Sequence, residues 1–287
     1  MNNPILVSIV VPFRSFEILA RNLLSAFKFS IENVEVLLIH DSKEDLNQEQ
    51  IQTISSKIKR YSYLRYELDS PGLARNKGLE IARGEWIVFW DSDDFGYPEV
   101  LLDLVSRAES GILIANFQRH YQDEQSITRD VLNVVNEEQL VRDPGLWRFI
   151  FHRSEVESSR FEALKLGEDI LFLVGVGAFE KEYQIFQDTM YEYHISVNQS
   201  TKRMDIQPNL ALFIDRFTTY LEQTRTTNAI ILGVYWRQLF SSLKRSKGTT
   251  FVQCSRHLFK LSATRNPKFV ISLMVGLKYA LIGSQKK

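Results

Sequence analysis

Short apolar runs alternate with helical patterns along the first third of this chain. The runs are residues 5–11, 34–39 and 86–90, and residues 63–68 are a further predicted strand. A continuous apolar run is typical of a strand that is buried on both faces of a parallel sheet. Ser70 and Pro71 have the residue types of a helix N-cap and a first helical position, so a helix is predicted from there to Ala82. Strands that alternate with helices predict an α/β fold with a mainly parallel, Rossmann-like sheet flanked by helices.

Beyond residue 94 the alternation is looser. The patterns predict helices over 98–108, 137–150 (interrupted at Pro144-Gly145) and 168–179, a strand over 111–117, a polar hairpin over 118–133 and strands over 183–195. Residues 198–209 are the best linker candidate, and two long helical patterns follow, over 210–244 and about 251–282. We therefore predict a main domain over 1–205 and a C-terminal helical extension over 206–287.

Equal numbers of acidic and basic residues hide an uneven distribution of charge. The chain has 35 Lys and Arg and 35 Asp and Glu, but residues 223–287 contain twelve basic residues and no acidic one. By difference, the rest of the chain has a net charge of about −12. A basic region of this kind predicts a negatively charged partner, either lipid headgroups or nucleic acid.

The sequence shows no pattern of export. Residues 1–4 lack a positive charge, and no apolar stretch reaches the ~20 residues of a membrane span. Cys254 is the single cysteine, which fits a reducing compartment, and it has no obvious base partner nearby in the sequence. We expect a cytoplasmic protein in which Cys254 is structural.

Three carboxylates stand at the end of the fourth predicted strand, in the segment Asp91-Ser92-Asp93-Asp94. The carboxyl edge of a parallel sheet is where ligands bind. Crowded carboxylates repel one another, and a divalent cation relieves this repulsion. Mg²⁺ or Mn²⁺ is commonly held by one or two carboxylates together with substrate phosphates. The alternative is a solvated acidic turn that precedes the helix near Pro98.

Three further segments contain candidate functional residues. Arg75 and Lys77, in the predicted helix that begins near Pro71, could face phosphates or a base, or could be an exposed basic helix turn. Asp41 follows the second strand and could bind a nucleobase edge or initiate a turn. His40 beside it is more typical of a packed or surface histidine than of a base. Asp169 opens an apolar helix, where an acid could interact with the helix dipole or act as a general base.

Together, in order and spacing, these segments resemble family 2 glycosyltransferases, inverting enzymes with the A-type nucleotide-binding fold. The specific part is Ala-Arg-Asn-Lys-Gly at 74–78, Ala-Arg-Gly-Glu-Trp at 82–86 and Asp-Ser-Asp-Asp at 91–94, which is similar to the D-x-D motif of the family. Val-Ser-Ile-Val-Val-Pro at 7–12, Gly-Glu-Asp at 167–169 and Tyr-Glu-Tyr-His at 191–194 resemble its opening, late "ED" and closing motifs.

The resemblance implies a role for each matching residue. Asp41 and Arg75 would contact the nucleobase, and Pro12 would lie in the loop beneath it. Asp91 would approach the ribose or the donor sugar. Asp93 would ligate the metal, and Asp169 would be the catalytic base that deprotonates the acceptor hydroxyl. The implied reaction is an inverting transfer of one sugar from a nucleotide-diphosphate donor, with Mg²⁺ or Mn²⁺, to a glycan or lipid-linked acceptor in surface polysaccharide or glycolipid synthesis.

Two positions depart from the family pattern. Arg14-Ser15 stand where Tyr-Asn is usual, and His40-Asp41-Ser42-Lys43 stand where Asp-Asp-Gly-Ser is usual. The nucleobase contacts, and hence the donor, are therefore open, with a UDP-sugar preferred. No Q-x-x-R-W motif is present, so we expect addition of a single residue rather than processive synthesis.

The basic C-terminal region predicts contact with a membrane. Residues 269–282 have Phe269, Leu273, Leu277 and Leu281 at i+4 spacing, beside a polybasic stretch. Such a segment can lie in the interface of an anionic bilayer. We favour a protein that is peripheral on the inner face of the cell membrane. The alternative is that these helices pack on the catalytic domain. Nucleic acid is not expected as a partner, since no recognised nucleic-acid-binding module accompanies the basic residues.

Other classes of function fit less well. A nucleotidyltransferase or a dinucleotide oxidoreductase would be expected to have a glycine-rich loop after the first strand, and residues 12–15 contain no glycine. A non-catalytic nucleotide-sugar-binding or scaffold subunit of a membrane assembly is the remaining alternative, and the retained acidic motifs argue against it.

Overall fold

The computed structural model describes residues 5–27, 31–122, 127–131, 135–196 and 207–262. Its chain divides into two compact units, the first formed by Met1–Val135, Gly145–Lys165 and Lys181–Gln199, and the second by Asn136–Pro144, Leu166–Glu180 and Ser200–Lys287.

The first unit is built on a nine-stranded sheet. Its strands are β1 (Val7–Phe13), β2 (Val34–Asp41), β3 (Tyr61–Tyr66), β4 (Trp86–Phe89), β5 (Phe95–Gly96), β6 (Ile112–Gln122), β7 (Ile127–Val131), β8 (Phe149–His152) and β9 (Gln184–Ser196). They are ordered β3-β2-β1-β4-β8-β6-β9-β5, with β7 paired to β6. β3, β2, β1 and β4 are parallel, whereas β8 runs antiparallel to both of its neighbours, β4 and β6.

Helices connect the first four strands of this sheet, as the βαβ pattern predicts, and further helices follow them. They are α1 (Phe16–Arg21), α2 (Leu23–Ala26), α3 (Gln48–Lys57), α4 (Pro71–Ile81), α5 (Pro98–Ser106) and the short α7 (Arg153–Val156), whereas α6 (Glu137–Arg142) belongs to the second unit. Ser70 caps α4 as predicted, since its side chain accepts a hydrogen bond from the backbone N–H of Leu73. The core of the unit is apolar, and the strands β1, β2 and β4 are almost entirely buried.

The stretch around residue 150 corrects a prediction. The helix predicted over 137–150 ends at Arg142, a 3₁₀ turn occupies Leu146–Arg148, and Phe149–His152 is the strand β8. Phe149, Ile150 and Phe151 are fully buried because β8 lies between β4 and β6. A short apolar run fits a buried helix or a buried strand equally well, and only the neighbouring strands decide between them.

The second unit is helical in the residues that the structure describes. Its helices are α6 (Glu137–Arg142), α8 (Glu168–Gly175), α9 (Gln207–Thr224), α10 (Ala229–Arg245) and α11 (Gly248–Ser262). The pattern over 210–244 forms two helices, because Arg225 has a φ of 51° and Asn228 caps the start of α10. Among the described residues no helix is long and apolar enough to cross a membrane. Most of the predicted linker and the amphipathic segment over 269–282 lie outside the described residues.

Candidate functional site

The carboxyl ends of three parallel strands meet at one edge of the sheet. β2 and β4 flank β1, with Phe13 opposite His40 and Val10 opposite Phe89. The residues at these strand ends therefore lie side by side, at the edge where ligands bind in parallel α/β sheets. The first unit thus brings together five residues that the sequence singled out: Pro12, Asp41, Arg75, Asp91 and Asp93.

Asp41, at the end of β2, accepts four hydrogen bonds. Its Oδ2 accepts from Nε (3.0 Å) and Nη2 (2.6 Å) of Arg14, and its Oδ1 accepts from the backbone N–H groups of Leu68 (2.7 Å) and Asp69 (3.1 Å). Burial alone would raise the pKa of Asp41, but these donors outweigh it and hold the pKa below its usual value. Asp41 is therefore an ionised carboxylate whose orientation is fixed by the protein.

In the sequence, Arg14 is only a departure from the family pattern, whereas in the structure it is the partner of Asp41. Its guanidinium also donates from Nη2 to Oδ1 of Asp69 at 2.9 Å, and Asp69 pairs in turn with Lys165. The Arg14 side chain remains 59% exposed. A planar, charged and exposed guanidinium at this edge can stack on an aromatic ring as well as pair with carboxylates.

His40 and Pro12 lie near the ends of β2 and β1. The His40 ring stacks on Phe13 with ring centroids 4.4 Å apart, and its Nδ1 lies 3.0 Å from the Tyr63 hydroxyl. Burial disfavours the imidazolium form and lowers the pKa of His40. The packed-histidine hypothesis therefore fits His40. Pro12 lies near the end of β1, opposite Ile39.

Arg75 is paired with Asp91. Arg75 lies on α4 and is only 6% exposed, and its Nη2 donates to Oδ1 of Asp91 at 2.8 Å. Its guanidinium also lies 5.6 Å from the ring centroid of Phe161. Lys77, two residues further along α4, is half-buried and pairs instead with Glu80 at 2.9 Å, so this turn of α4 is not an exposed basic turn.

Asp94 is buried and is bonded to β9. Its Oδ2 accepts from the Tyr191 hydroxyl at 2.7 Å, and its Oδ1 accepts from the backbone N–H of His194 at 2.7 Å. Burial, together with the negative charges of Asp93 and Asp91, raises the pKa of Asp94 well above its usual value, although both donors oppose the shift. Sequence reasoning gave Asp94 no separate role, and its partners were not visible because they lie on a distant strand.

Asp93 differs from its two acidic neighbours in its contacts. Within the part of the chain that the structure describes, its carboxylate accepts a hydrogen bond only from the backbone N–H of Asp93 itself. No side chain there donates to it, and it forms no ion pair. Its side chain is exposed, and partial desolvation together with the charge of Asp91 raises its pKa to about 6. A carboxylate with a raised pKa and no cationic partner is well suited to hold a divalent cation.

Asp169 belongs to the second unit, where it stands in the first turn of α8. Gly167, immediately before the two acids, has a φ of 78°, and a Cβ there would lie 2.3 Å from the ring of Phe213. Only glycine fits both constraints. The side chain of Glu168 is buried and that of Asp169 is partly exposed. Interaction with the helix dipole and action as a base are both compatible with this position.

A comparison with known families identifies the family of this chain. The model of glycosyl transferase family 2 matches residues 8–165, more than half of the chain. The chain belongs to this family. It is therefore a glycosyltransferase, and the nucleotidyltransferase alternative is disfavoured.

Related proteins from several bacteria share this sequence pattern. EpsH of Bacillus subtilis is 24% identical over 72% of the chain, and the match covers 67% of EpsH. The succinoglycan biosynthesis protein ExoO of Rhizobium meliloti is 27% identical over 67% of the chain, and the match covers 61% of ExoO. The poly(ribitol-phosphate) beta-N-acetylglucosaminyltransferase TarP of Staphylococcus aureus is 23% identical over 83% of the chain and 75% of TarP.

Solved structures confirm the A-type glycosyltransferase fold with a helical C-terminal region. S. aureus TarS, crystallised with UDP-GlcNAc, is 17% identical and superposes with a TM-score of 0.63 over 96% of this chain and 81% of TarS. The mannosyltransferase PcManGT of Pyrobaculum calidifontis, in complex with GDP-Man and Mn²⁺, is 13% identical, with a TM-score of 0.58 over 97% of this chain and 81% of that one.

Proposed function

We propose that this glycosyltransferase transfers one sugar, with inversion, from a nucleotide-diphosphate donor to a glycan or lipid-linked acceptor. The observation that carries the proposal is the division of partners within the acidic motif. Asp91 is paired with Arg75 and Asp94 with Tyr191, whereas Asp93 is exposed and has no cationic partner among the described residues. This leaves one carboxylate at the sheet edge for a metal ion.

The residues at this edge fit a hard divalent cation. Carboxylate oxygens are the ligands that Mg²⁺ and Mn²⁺ prefer, and the negative charge of the neighbouring Asp91, which raises the pKa of Asp93, favours a cation at this edge. Asp93 would hold the ion, with donor phosphates as further ligands. When bound, the ion would neutralise the charge that grows on the leaving diphosphate.

Residues at the ends of β1 and β2 would bind the nucleoside. The Arg14–Asp41 pair presents an oriented carboxylate and an exposed guanidinium beside Pro12. Arg75, held by Asp91, would contact the nucleobase, and Asp91 would approach the ribose or the donor sugar. We favour a UDP-sugar as the donor, and the UDP-GlcNAc complex of TarS supports this choice, while the GDP-Man complex of PcManGT supports a nucleotide-sugar more generally.

Asp169 would act as the general base. Its carboxylate would take the proton of the acceptor hydroxyl, whose oxygen attacks the anomeric carbon from the face opposite the departing nucleotide diphosphate. One base is sufficient for a single displacement with inversion. We retain residues 1–205 as the catalytic region, which contains both Asp93 and Asp169, with 206–287 as an added helical region.

The acceptor is proposed from the related proteins. ExoO is named for succinoglycan biosynthesis, and TarP for the modification of poly(ribitol-phosphate). These names support a surface polymer or a lipid-linked precursor as the acceptor. The second unit supports a peripheral membrane position, because α11 exposes Phe251 and Val252, at 48% and 50%, next to the exposed Arg256 on the same helix.

Donor binding and hydrolysis test the proposal. UDP-, GDP- and TDP-sugars would be assayed with Mn²⁺ against Asp93→Asn and Asp169→Asn, with Asp103→Asn and Glu222→Gln as controls. Asp103 is an exposed partner of Arg107, and Glu222 is exposed on α9. We expect loss of metal-dependent donor binding only in Asp93→Asn, and loss of turnover with retained binding in Asp169→Asn. Donor binding without turnover in the wild-type protein would instead favour the non-catalytic alternative.

A further inference from the structure

Three metal-ligating side chains converge on two neighbouring strands, apart from the residues of the D-x-D motif. β6 and β9 run parallel, and His120 stands opposite His194 in their register. Glu192 precedes His194 by two residues on β9. Because side chains alternate between the two faces of a strand, Glu192 and His194 lie on the same face, and His120 joins them across the strand pair.

The distances between these side chains suit a metal ion. Nε2 of His120 lies 2.9 Å from Oε2 of Glu192, and Nε2 of His194 lies 3.6 Å from the same oxygen. One ligand atom from each of the three residues lies within 4.8 Å of the others. Tetrahedral coordination at about 2.0–2.1 Å from Zn²⁺ places ligand atoms roughly 3.3 Å apart, so small side-chain movements would complete the geometry.

Glu192 is oriented by other side chains. The Tyr97 hydroxyl and Nε2 of Gln118 both donate to its Oε1, which leaves Oε2 directed at the two imidazoles. Glu192 is only 7% exposed. Hydrogen bonds of this kind fix the orientation of metal ligands and commonly change metal affinity by about 10–100-fold. A buried carboxylate also requires a positive partner, which a metal ion or a protonated histidine can provide.

We propose that His120, Glu192 and His194 bind a divalent transition-metal ion of the Zn²⁺ class. Two imidazoles and one carboxylate favour this class over Mg²⁺, which prefers oxygen ligands throughout. Three protein ligands leave a fourth position for water. The ion would link β6 to β9, and β9 is bonded to the acidic motif through the backbone N–H of His194 and Oδ1 of Asp94. This second site shares no ligand with the proposed metal at Asp93.

Spectroscopic titration tests the site. The full chain, stripped of metal with a chelator, would be titrated with Co²⁺ as a visible probe and then with Zn²⁺ as a competitor. We expect one equivalent of Co²⁺ with the absorption of a four-coordinate ion, displaced by Zn²⁺. His120→Ala and His194→Ala should remove this absorption, and Tyr97→Phe should weaken Co²⁺ binding about tenfold or more through the loss of the hydrogen bond to Glu192.

Two control variants distinguish this site from the donor site and from a histidine elsewhere on the sheet. Asp93→Asn should retain the Co²⁺ absorption, and so should His152→Ala, which removes a partly exposed histidine on β8. His120→Gln replaces His120→Ala if the alanine variant does not fold, as judged by circular dichroism. The proposal is overturned if the wild-type protein binds no Co²⁺, if the folded His120 variants bind it with wild-type affinity, or if only Asp93→Asn loses it. The last outcome would assign the metal to the donor site instead.

Discussion

Lowering the pH should weaken the binding of Mn²⁺ and UDP-sugar much more steeply than an ordinary aspartate site would. The cause is the pKa of Asp93, which desolvation and the charge of Asp91 raise from 3.8 to about 6. A metal ion binds the ionised carboxylate, so protons compete with it. The sign follows directly: affinity is full above the raised pKa and is lost as the pH falls through it.

The magnitude follows from the fraction of Asp93 that is ionised. With a pKa of about 6, this fraction is roughly 90% at about pH 7 and roughly 10% at about pH 5, so metal affinity should fall about tenfold, or ~1.4 kcal/mol. An aspartate with the unshifted pKa of 3.8 would stay more than roughly 90% ionised over the same range. The tenfold loss of metal affinity is therefore expected only if the pKa of Asp93 is raised, and almost no loss is expected at the unshifted pKa.

Isothermal titration of Mn²⁺ with a UDP-sugar between about pH 5 and about pH 7.5 would measure this dependence. A UDP-sugar is preferable to UDP, because a terminal phosphate itself titrates near a pKa of about 6. Asp91→Asn provides an internal check, since removal of its charge should lower the pKa of Asp93 and move the midpoint to lower pH. A flat profile in the wild-type protein, or an unchanged midpoint in Asp91→Asn, would refute the reasoning.

Three further outcomes are expected. Asp93→Asn should raise the melting temperature of the metal-free protein near neutral pH, because ionisation of a carboxyl group with a raised pKa lowers the stability of the folded state. Well below the pKa of about 6 the substitution should have no such effect. Because Asp93 is accessible to solvent, the gain in stability should stay within about 1 kcal/mol, or a few °C in calorimetry. Asp169→Asn should reduce transfer by about 10²–10⁴-fold while donor affinity, measured by titration, stays unchanged; a matching loss of affinity would contradict a base. The protein should co-sediment with anionic but not with neutral vesicles, and high salt should release it. The double variant Phe251→Ser with Val252→Ser should bind vesicles less than Leu212→Ser, which changes another exposed apolar residue. Binding that does not depend on lipid charge would exclude this surface as a membrane contact.

The strands that carry the donor residues could be predicted because their burial is local information. β1, β2 and β4 are largely apolar, and a polar residue of the site lies at or just beyond the end of each strand. β8 could not be recognised in the same way. Its run Phe149–His152 is short and follows a helical pattern, and it becomes a strand only because β4 and β6 offer hydrogen bonds on both sides.

The partners within the site depend on sheet order rather than on sequence spacing. Arg14 pairs with Asp41 because β1 and β2 are neighbours in register, and the substitution of the usual family residue gave no hint of an ion pair. The His120–His194 pairing is less accessible still, because β6 and β9 are neighbours although β7 and β8 separate them along the chain. In the sequence, these two histidines are far apart and nothing indicates that they are neighbours.

The acidic motif shows why partners, and not charge alone, distinguish adjacent carboxylates. Asp91, Asp93 and Asp94 are equivalent in sequence-based reasoning about crowded charge, yet Asp91 is paired with an arginine, Asp94 is bonded to β9, and Asp93 has neither kind of partner among the described residues. Because His194 supplies the backbone donor to Asp94, an ion held by its imidazole would restrain β9 against the turn that carries Asp93. Occupancy of the two proposed metal sites should then be coupled, so that Zn²⁺ at the histidines tightens donor-dependent Mn²⁺ binding.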